Sequence, residues 1–186
     1  YSLIGGDRVR IDTGVYNLTN NIVAPGGSIG APVVFEMSPW GVTINRGNTN
    51  TTTAYAWAIN SNYTTLRTLI HTNAFEAGGA FARITGAYNG VYVSGTYCVF
   101  EGLDVVSNRM NGFYLTSGQN ATIRNCLVRQ TTDSAGRGIS SYNSTGVTIE
   151  NTTVYGNGRY AIFIDNGSVA LSTPFHKSAN VFYAAS

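Results

Sequence analysis

Four short segments of this chain repeat one pattern at nearly even intervals, and that repeat constrains the fold more than any other feature. Gly90-Val-Tyr-Val-Ser94, Gly112-Phe-Tyr-Leu-Thr116, Gly138-Ile-Ser-Ser-Tyr142 and Ala161-Ile-Phe-Ile-Asp165 each run small, apolar, variable, apolar, with Ser141 as the one polar exception. Their first apolar residues, Val91, Phe113, Ile139 and Ile162, are 22, 26 and 23 residues apart. A second series lies between them: Cys98-Val-Phe-Glu-Gly-Leu-Asp-Val105, Ala121-Thr-Ile-Arg-Asn-Cys-Leu-Val128 and Val147-Thr-Ile-Glu-Asn-Thr-Thr-Val154. Phe100, Ile123 and Ile149 align, as do Gly102, Asn125 and Asn151, and then Val105, Val128 and Val154, with spacings of 23 and 26.

Two series with one period mean that each repeat holds several short strands. The period is too short for a four-stranded propeller blade and suits one coil of a solenoid. Coils stacked ~4.8 Å apart pair each strand with its equivalents above and below. Alternation then puts Val91 and Val93 inside and Tyr92 outside, and likewise down the stack. The expected architecture is all-β: a right-handed parallel β-helix with three short strands per coil and, at about 23 residues per coil, about eight coils, with residues 1–186 forming one domain. Composition agrees. Charged residues are 11% of the chain, Gly numbers 22, and no stretch sustains a 3.6-residue apolar period.

The aligned Asn125 and Asn151 fall where the second strand of a coil turns into the third. Stacked Asn side chains there bond to each other and to turn backbone, and Gly102 supplies backbone freedom at the same place. Glu101, Arg124 and Glu150 also align as an outward column of alternating sign, which supports register.

The first ninety residues repeat less clearly. Arg8 to Ile11, Asn21 to Val23, Pro32 to Glu36 and Gly41 to Ile44 read as strands between Gly, Pro, Asn and Ser turns. Ala54 to Ala58, Leu66 to Ile70 and Phe81 to Thr85 continue them, and the polar stretch from Asn45 to Thr53 reads as a protruding loop. His176 to Tyr183 reads as one further strand.

Gly5-Gly-Asp-Arg-Val-Arg-Ile-Asp-Thr-Gly-Val-Tyr16 resembles the opening of the pectin-lyase-like β-helices, especially the group with chondroitinase B-type and alginate lyases. Pro32-Val-Val-Phe-Glu36 and Gly41-Val-Thr-Ile-Asn45 match that group's usual continuation, and the coils from 90 to 165 look like the superfamily's general repeat. The resemblance is specific for fold and weak for activity, because the superfamily hosts lyases, hydrolases, epimerases and non-catalytic adhesins. Its members usually carry a short amphipathic helix before the Gly-Asp strand. Here the chain starts about six residues before that strand, so an uncapped N-terminus is expected, in a segment of a longer protein or a stacking subunit.

The resemblance also implies a site. Lyases of this fold use a Lys or Arg as base beside a uronate carboxylate, with Ca²⁺ or Arg to neutralise it. Their site lies on the sheet of the first series and the turn before it. In this chain those turns bring Arg109, Arg137 and Arg159, one per coil. The outward positions are Tyr92, Tyr114, Ser140 and Phe163, with Tyr142 and Asp165 at the end. Rings stack on sugar faces and guanidinium groups fork onto carboxylates, so an aromatic column beside an arginine stripe suits an acidic sugar chain. On a plain structural reading, outward rings simply stabilise a parallel sheet and turn arginines are solvated. No catalytic residue is assigned and no metal site is expected. Ca²⁺ is implied by the resemblance alone, because Asp104, Asp133 and Asp165 are dispersed.

The remaining signals are slight. Lys177 is the sole lysine, and His71 and His176 are too few for a metal centre. Cys98 and Cys126 open different strands of neighbouring coils and are expected as buried free thiols. Gly26 to Gly30 is not followed by a helix pattern. Seven glycosylation sequons occur in a chain rich in Asn and Thr. A net charge of +2 is too small to suggest a nucleic-acid partner, and no apolar run spans a bilayer. Thr does not recur on one outward face, which argues against ice binding.

Two functions follow. One is an extracellular or cell-surface module contacting polysaccharide, acidic by the resemblance and lyase-like if it is an enzyme. The other is a structural fibre, adhesin or stalk unit that self-associates end to end and has no catalytic site.

Overall fold

The structure, a computed structural model, describes residues 2–69, 81–167, 169–172, 176–178 and 181–185, the last three segments mainly as backbone. Every regular element is a short strand. Coil one holds β1 (Arg8–Ile11), β2 (Gly14–Asn17) and β3 (Ile22–Val23). Coil two holds β4 (Val33–Met37), β5 (Val42–Asn48) and β6 (Tyr55–Ile59). Coil three holds β7 (Thr64–Thr68), β8 (Ala82–Ala87) and β9 (Asn89–Val93). Coil four holds β10 (Val99–Glu101), β11 (Leu103–Val106) and β12 (Asn111–Thr116). Coil five holds β13 (Thr122–Arg124), β14 (Leu127–Arg129) and β15 (Arg137–Tyr142). Coil six holds β16 (Val147–Glu150), β17 (Thr153–Tyr155) and β18 (Tyr160–Asp165). Coil seven holds β19 (Val169–Ser172), β20 (His176–Ser178) and β21 (Val181–Ala185).

Every third strand pairs in parallel with its equivalents, giving sheet A (β1 to β19), sheet B (β2 to β20) and sheet C (β3 to β21), seven strands each. Val91, Phe113, Ile139 and Ile162 are in register on sheet C. Phe100, Ile123 and Ile149 are in register on sheet A, and Val105, Val128 and Val154 on sheet B. All of them are buried. Their columns, with Trp57, Leu66, Ile84 and Leu115, form one continuous core along the axis. Ser141 faces that core, and its hydroxyl has no partner among the described residues.

Seven coils stand where about eight were expected. The paired residues Arg8, Val34, Thr65, Val99, Thr122, Thr148 and Ala170 give coil lengths of 26, 31, 34, 23, 26 and 22 residues. Longer turns in the early coils absorb the difference. Two other expectations change. Asn45 to Asn48 belong to β5, which bulges between Asn45 and Asn48 against β8, so only the residues after Asn48 leave the sheet. His176 to Tyr183 is not one strand: its ends pair in different sheets, β20 with β17 and β21 with β18. His71 and Ile70 lie outside the described residues.

The outer face of sheet A carries a longer charge column than the sequence suggested. Arg10, Glu36, Arg67, Glu101, Arg124 and Glu150 occupy one register position on successive strands, alternating in sign throughout. Ion pairs join Arg67 to Glu36 at 2.5 Å and Arg124 to Glu101 at 3.0 Å. Opposite charges facing across strands stabilise a sheet, and like charges directly opposite destabilise it. A one-coil slip would therefore set like charges together. On sheet B, Asp104 is held between Arg83 at 3.2 Å and Arg129 at 2.8 Å.

The turn between sheets A and B is a tight one. Asn125 (φ 53°), Asn151 (φ 40°) and Gly102 (φ 65°) occupy equivalent left-handed positions, which Asn and Gly tolerate best. The Asn151 amide donates to the Asn125 carbonyl at 2.8 Å. Asn166 and Asn143 repeat the bond at the turn between sheets C and A, at 2.6 Å.

Candidate functional site

The outer face of sheet C carries a line of aromatic rings that crosses the strands. Tyr55 stacks on Tyr92 with centroids 4.6 Å apart and planes 9° apart. Tyr92 then meets Tyr114 at 5.8 Å, Tyr114 meets Tyr142 at 5.6 Å, and Tyr142 meets Phe163 at 5.2 Å. Tyr160 closes the line against Phe163 at 5.6 Å. The register explains the path: Tyr92, Tyr114, Ser140 and Phe163 share one outward position, while Tyr142 pairs with Asp165 two residues further on. Ser140 is too small to fill its place, and the Tyr142 ring bridges the gap.

At the start of each sheet C strand stands a second outward column: Tyr55, Asn89, Asn111, Arg137 and Tyr160. The next residue is glycine in three coils and faces inward. A Cβ at Gly112 would lie 2.5 Å from Val128 Cγ1, and one at Gly138 2.4 Å from Val154 Cγ1. This close approach lets two successive residues turn inward, so the residue before the glycine points out. The Asn111 amide donates to Asn89 Oδ1 at 2.6 Å, and the Ser140 hydroxyl donates to Asn111 Oδ1 at 2.5 Å.

Together these columns floor a depression of about 410 Å³, lined among others by Tyr55, Asn111, Tyr114, Arg137 and Tyr142 and walled by Thr52 and Thr53. The wall is the short loop after β5, braced where Arg109 Nη1 donates to Asn50 Oδ1 at 3.4 Å. Burial pushes the Tyr142 phenol above its ordinary value, the Arg137 charge opposing it, and burial raises Tyr55 likewise. Both hydroxyls therefore remain neutral donors and acceptors at neutral pH.

The three arginines do not form a stripe. Arg137 opens β15, whereas Arg109 and Arg159 lie in turns at two other levels: the Arg109 amide donates to Ala87 and the Arg159 amide to Gly136. Each is engaged differently. Arg109 pairs with Asp133 at 3.3 Å and lies over Tyr88. Arg159 lies over Tyr160 at 4.9 Å and is exposed. Arg137 sits 4.1 Å over the Phe163 ring and donates to the Tyr142 hydroxyl at 2.6 Å. Only Arg137 of the three lines the depression. Asp165, at the far end of β18, does not line it.

The sequence reading missed Tyr55, the Asn89–Asn111 pair and the loop wall. The two asparagines had a signal, since each immediately precedes the repeat's glycine. Asn108 and Asn157, three residues after Val105 and Val154, were missed too: the Asn108 side chain accepts from the Ala87 amide and donates to the Ile84 carbonyl, and Asn157 accepts from Thr131. Both cysteines are buried and unbridged. Burial pushes the Cys126 thiol up to about 12 and raises Cys98 as well.

The Ca²⁺ that the resemblance implies does not fit the residues present. Among the described residues no three His, Cys, Asp or Glu side chains gather closely enough to hold a metal. Asp104 and Asp133 are each committed to arginine. No helix among the described residues is long and apolar enough to cross a membrane.

Three parallel sheets, three strands per coil and stacked inward columns define a right-handed parallel β-helix of the pectin-lyase-like type. Residues 60–183 match the right-handed β-helix region family, and the chain belongs to that family. No curated protein matches it. Among solved structures it is similar to the pectate lyase Pel9A, with a TM-score of 0.69 and 16% identity over 95% of this chain and 50% of that one. It is also similar to an alginate lyase from Paenibacillus sp. str. FPU-7, with a TM-score of 0.52 and 14% identity over 89% of this chain and 60% of that one. The chain thus spans about half the length of the first of these structures and under two thirds of the second. At such identities the likeness is one of fold.

Proposed function

We propose that this chain is a polysaccharide-contacting β-helix module that works outside the cell or at its surface, with the sugar chain lying along the rings of sheet C. The observation that carries the reading is the ring-floored depression itself. Half-buried tyrosines are spaced along the helix axis, beside amide and phenol groups, under a loop wall. Apolar ring faces with a few placed polar groups are the usual make-up of a small-molecule site, and aromatic faces pack on the apolar faces of sugar rings. The two solved structures named above are both lyases named for a polysaccharide, which supports the same class of ligand.

The reading is one of binding. Titrating the purified protein with soluble oligosaccharides in a calorimeter tests it. Binding is expected to weaken about tenfold or more in Tyr114→Ala. Affinity that is unchanged in that variant would remove sheet C as the site.

A further inference from the structure

The charge distribution over the three sheets narrows the ligand class. Of the chain's 11 basic and 9 acidic residues, seven lie in sheet A strands: Arg8, Arg10, Glu36, Arg67, Glu101, Arg124 and Glu150. Five lie in sheet B strands, and sheet C strands carry only two, Arg137 and Asp165, which cancel. The face that holds the rings is therefore the uncharged face of the molecule.

A polyuronate lying along this face would bring a carboxylate with every sugar. Its one lining cation, Arg137, is already spread over Phe163 and bonded to Tyr142. Each further carboxylate would lose water over aromatic rings with no charge to replace it, and an unpaired buried charge is costly. The polar groups of the floor have a different chemistry. Asn111 uses one amide hydrogen on Asn89 and one lone pair on Ser140, which leaves one donor and one acceptor. The tyrosine hydroxyls likewise both give and accept. A carboxylate only accepts; a sugar hydroxyl does both, and matches this floor.

We infer that the ligand of sheet C is a neutral glycan, a chain of pyranose sugars without carboxylates, held by ring stacking and by amide and phenol contacts to its hydroxyls. The inference rests on the polysaccharide reading above and departs from the acidic ligand that the sequence resemblance implied.

The test compares hexagalacturonate with its fully methyl-esterified form, which keeps the backbone and removes the charge, alongside cellohexaose and mannohexaose. Calorimetric titrations use the whole chain and two variants, Tyr114→Ala and Thr53→Trp. Thr53 is an exposed wall residue, so the second variant fills the depression without touching the core. At least one neutral hexamer is expected to bind about tenfold more tightly than hexagalacturonate. That binding should change little between about 0.05 and 0.5 M NaCl and should weaken in both variants. Tighter binding of hexagalacturonate that both variants weaken would overturn the inference and leave the polysaccharide reading standing. No binding of any hexamer, or binding that neither variant weakens, would overturn both.

Discussion

Glu36 and Arg67 face each other across β4 and β7 at one register position, with the guanidinium 2.5 Å from the carboxylate. Arg8 reaches the same carboxylate at 3.0 Å and Arg10 at 3.7 Å. Glu36 is 1% exposed on what is nominally the outer face of sheet A. The arginines cover it: their stems pack over the strand while their heads remain in water.

This carboxylate makes stability depend on pH. The Arg67 hydrogen bond, with the charges of Arg67, Arg8 and Arg10, holds Glu36 below its ordinary 4.5 against the opposing effect of burial. A lowered folded value contributes stability above the unfolded value, and that contribution is lost as pH falls through the folded one. Denaturant titrations from pH 7 to pH 3 should show this loss. Glu36→Gln should cost about 1–3 kcal/mol at pH 7 and flatten the acid limb. A variant with the parent's midpoint and slope would show the cluster to be idle.

The sheet A column predicts a failed rescue. Arg124→Glu sets three acids in a row with Glu101 and Glu150 and should cost about 1–2 kcal/mol, less in high salt. In an isolated ion pair, adding Glu101→Arg would restore stability. Here the swapped charges would face Arg67 and Glu150, like against like, so the double variant should stay as unstable as the single one. Recovery to parental stability in chemical denaturation would mean that the pair acts alone.

At the tight turn, Asn151→Gly should be nearly neutral, because Gly102 already serves at the equivalent position. Asn151→Ala should cost about 1–2 kcal/mol, since it forces a Cβ into a left-handed conformation and removes the bond to Asn125. Thermal midpoints of the two variants would separate these effects, and equal midpoints would argue against the strain.

The two thiols should be silent in the folded protein. Cys98 and Cys126 are buried, and both titrate above the ordinary thiol range, whereas the thiolate is the reactive form. A chromogenic disulfide reagent at pH 8 should count none rapidly in the native chain and both in denaturant. A rapid native reaction at either would contradict their burial.

Much of this was legible in the residues between 90 and 165. Their coils are short and even, so small-apolar-variable-apolar segments recur at a spacing that the eye can align. Earlier coils follow the same architecture at 26, 31 and 34 residues, and turns of unequal length hide the period. The alternation of Glu101, Arg124 and Glu150 could be read, while its extension through Arg67, Glu36 and Arg10 could not. Of the candidate site, the outward tyrosines were legible from strand alternation. Tyr55 was not, because it belongs to an irregular coil.

The period and the inward apolar columns are properties of the sequence by itself, because a strand that repeats every coil must bury the same side chain each time. What each arginine does was decided only in three dimensions. Arg109, Arg137 and Arg159 look equivalent along the chain, yet a guanidinium on a long stem settles on whichever carboxylate, ring or hydroxyl the neighbouring coil brings within reach. Those partners lie 24 residues away for Arg109 and 26 for the Phe163 ring under Arg137, distances that only the stacking of coils makes short.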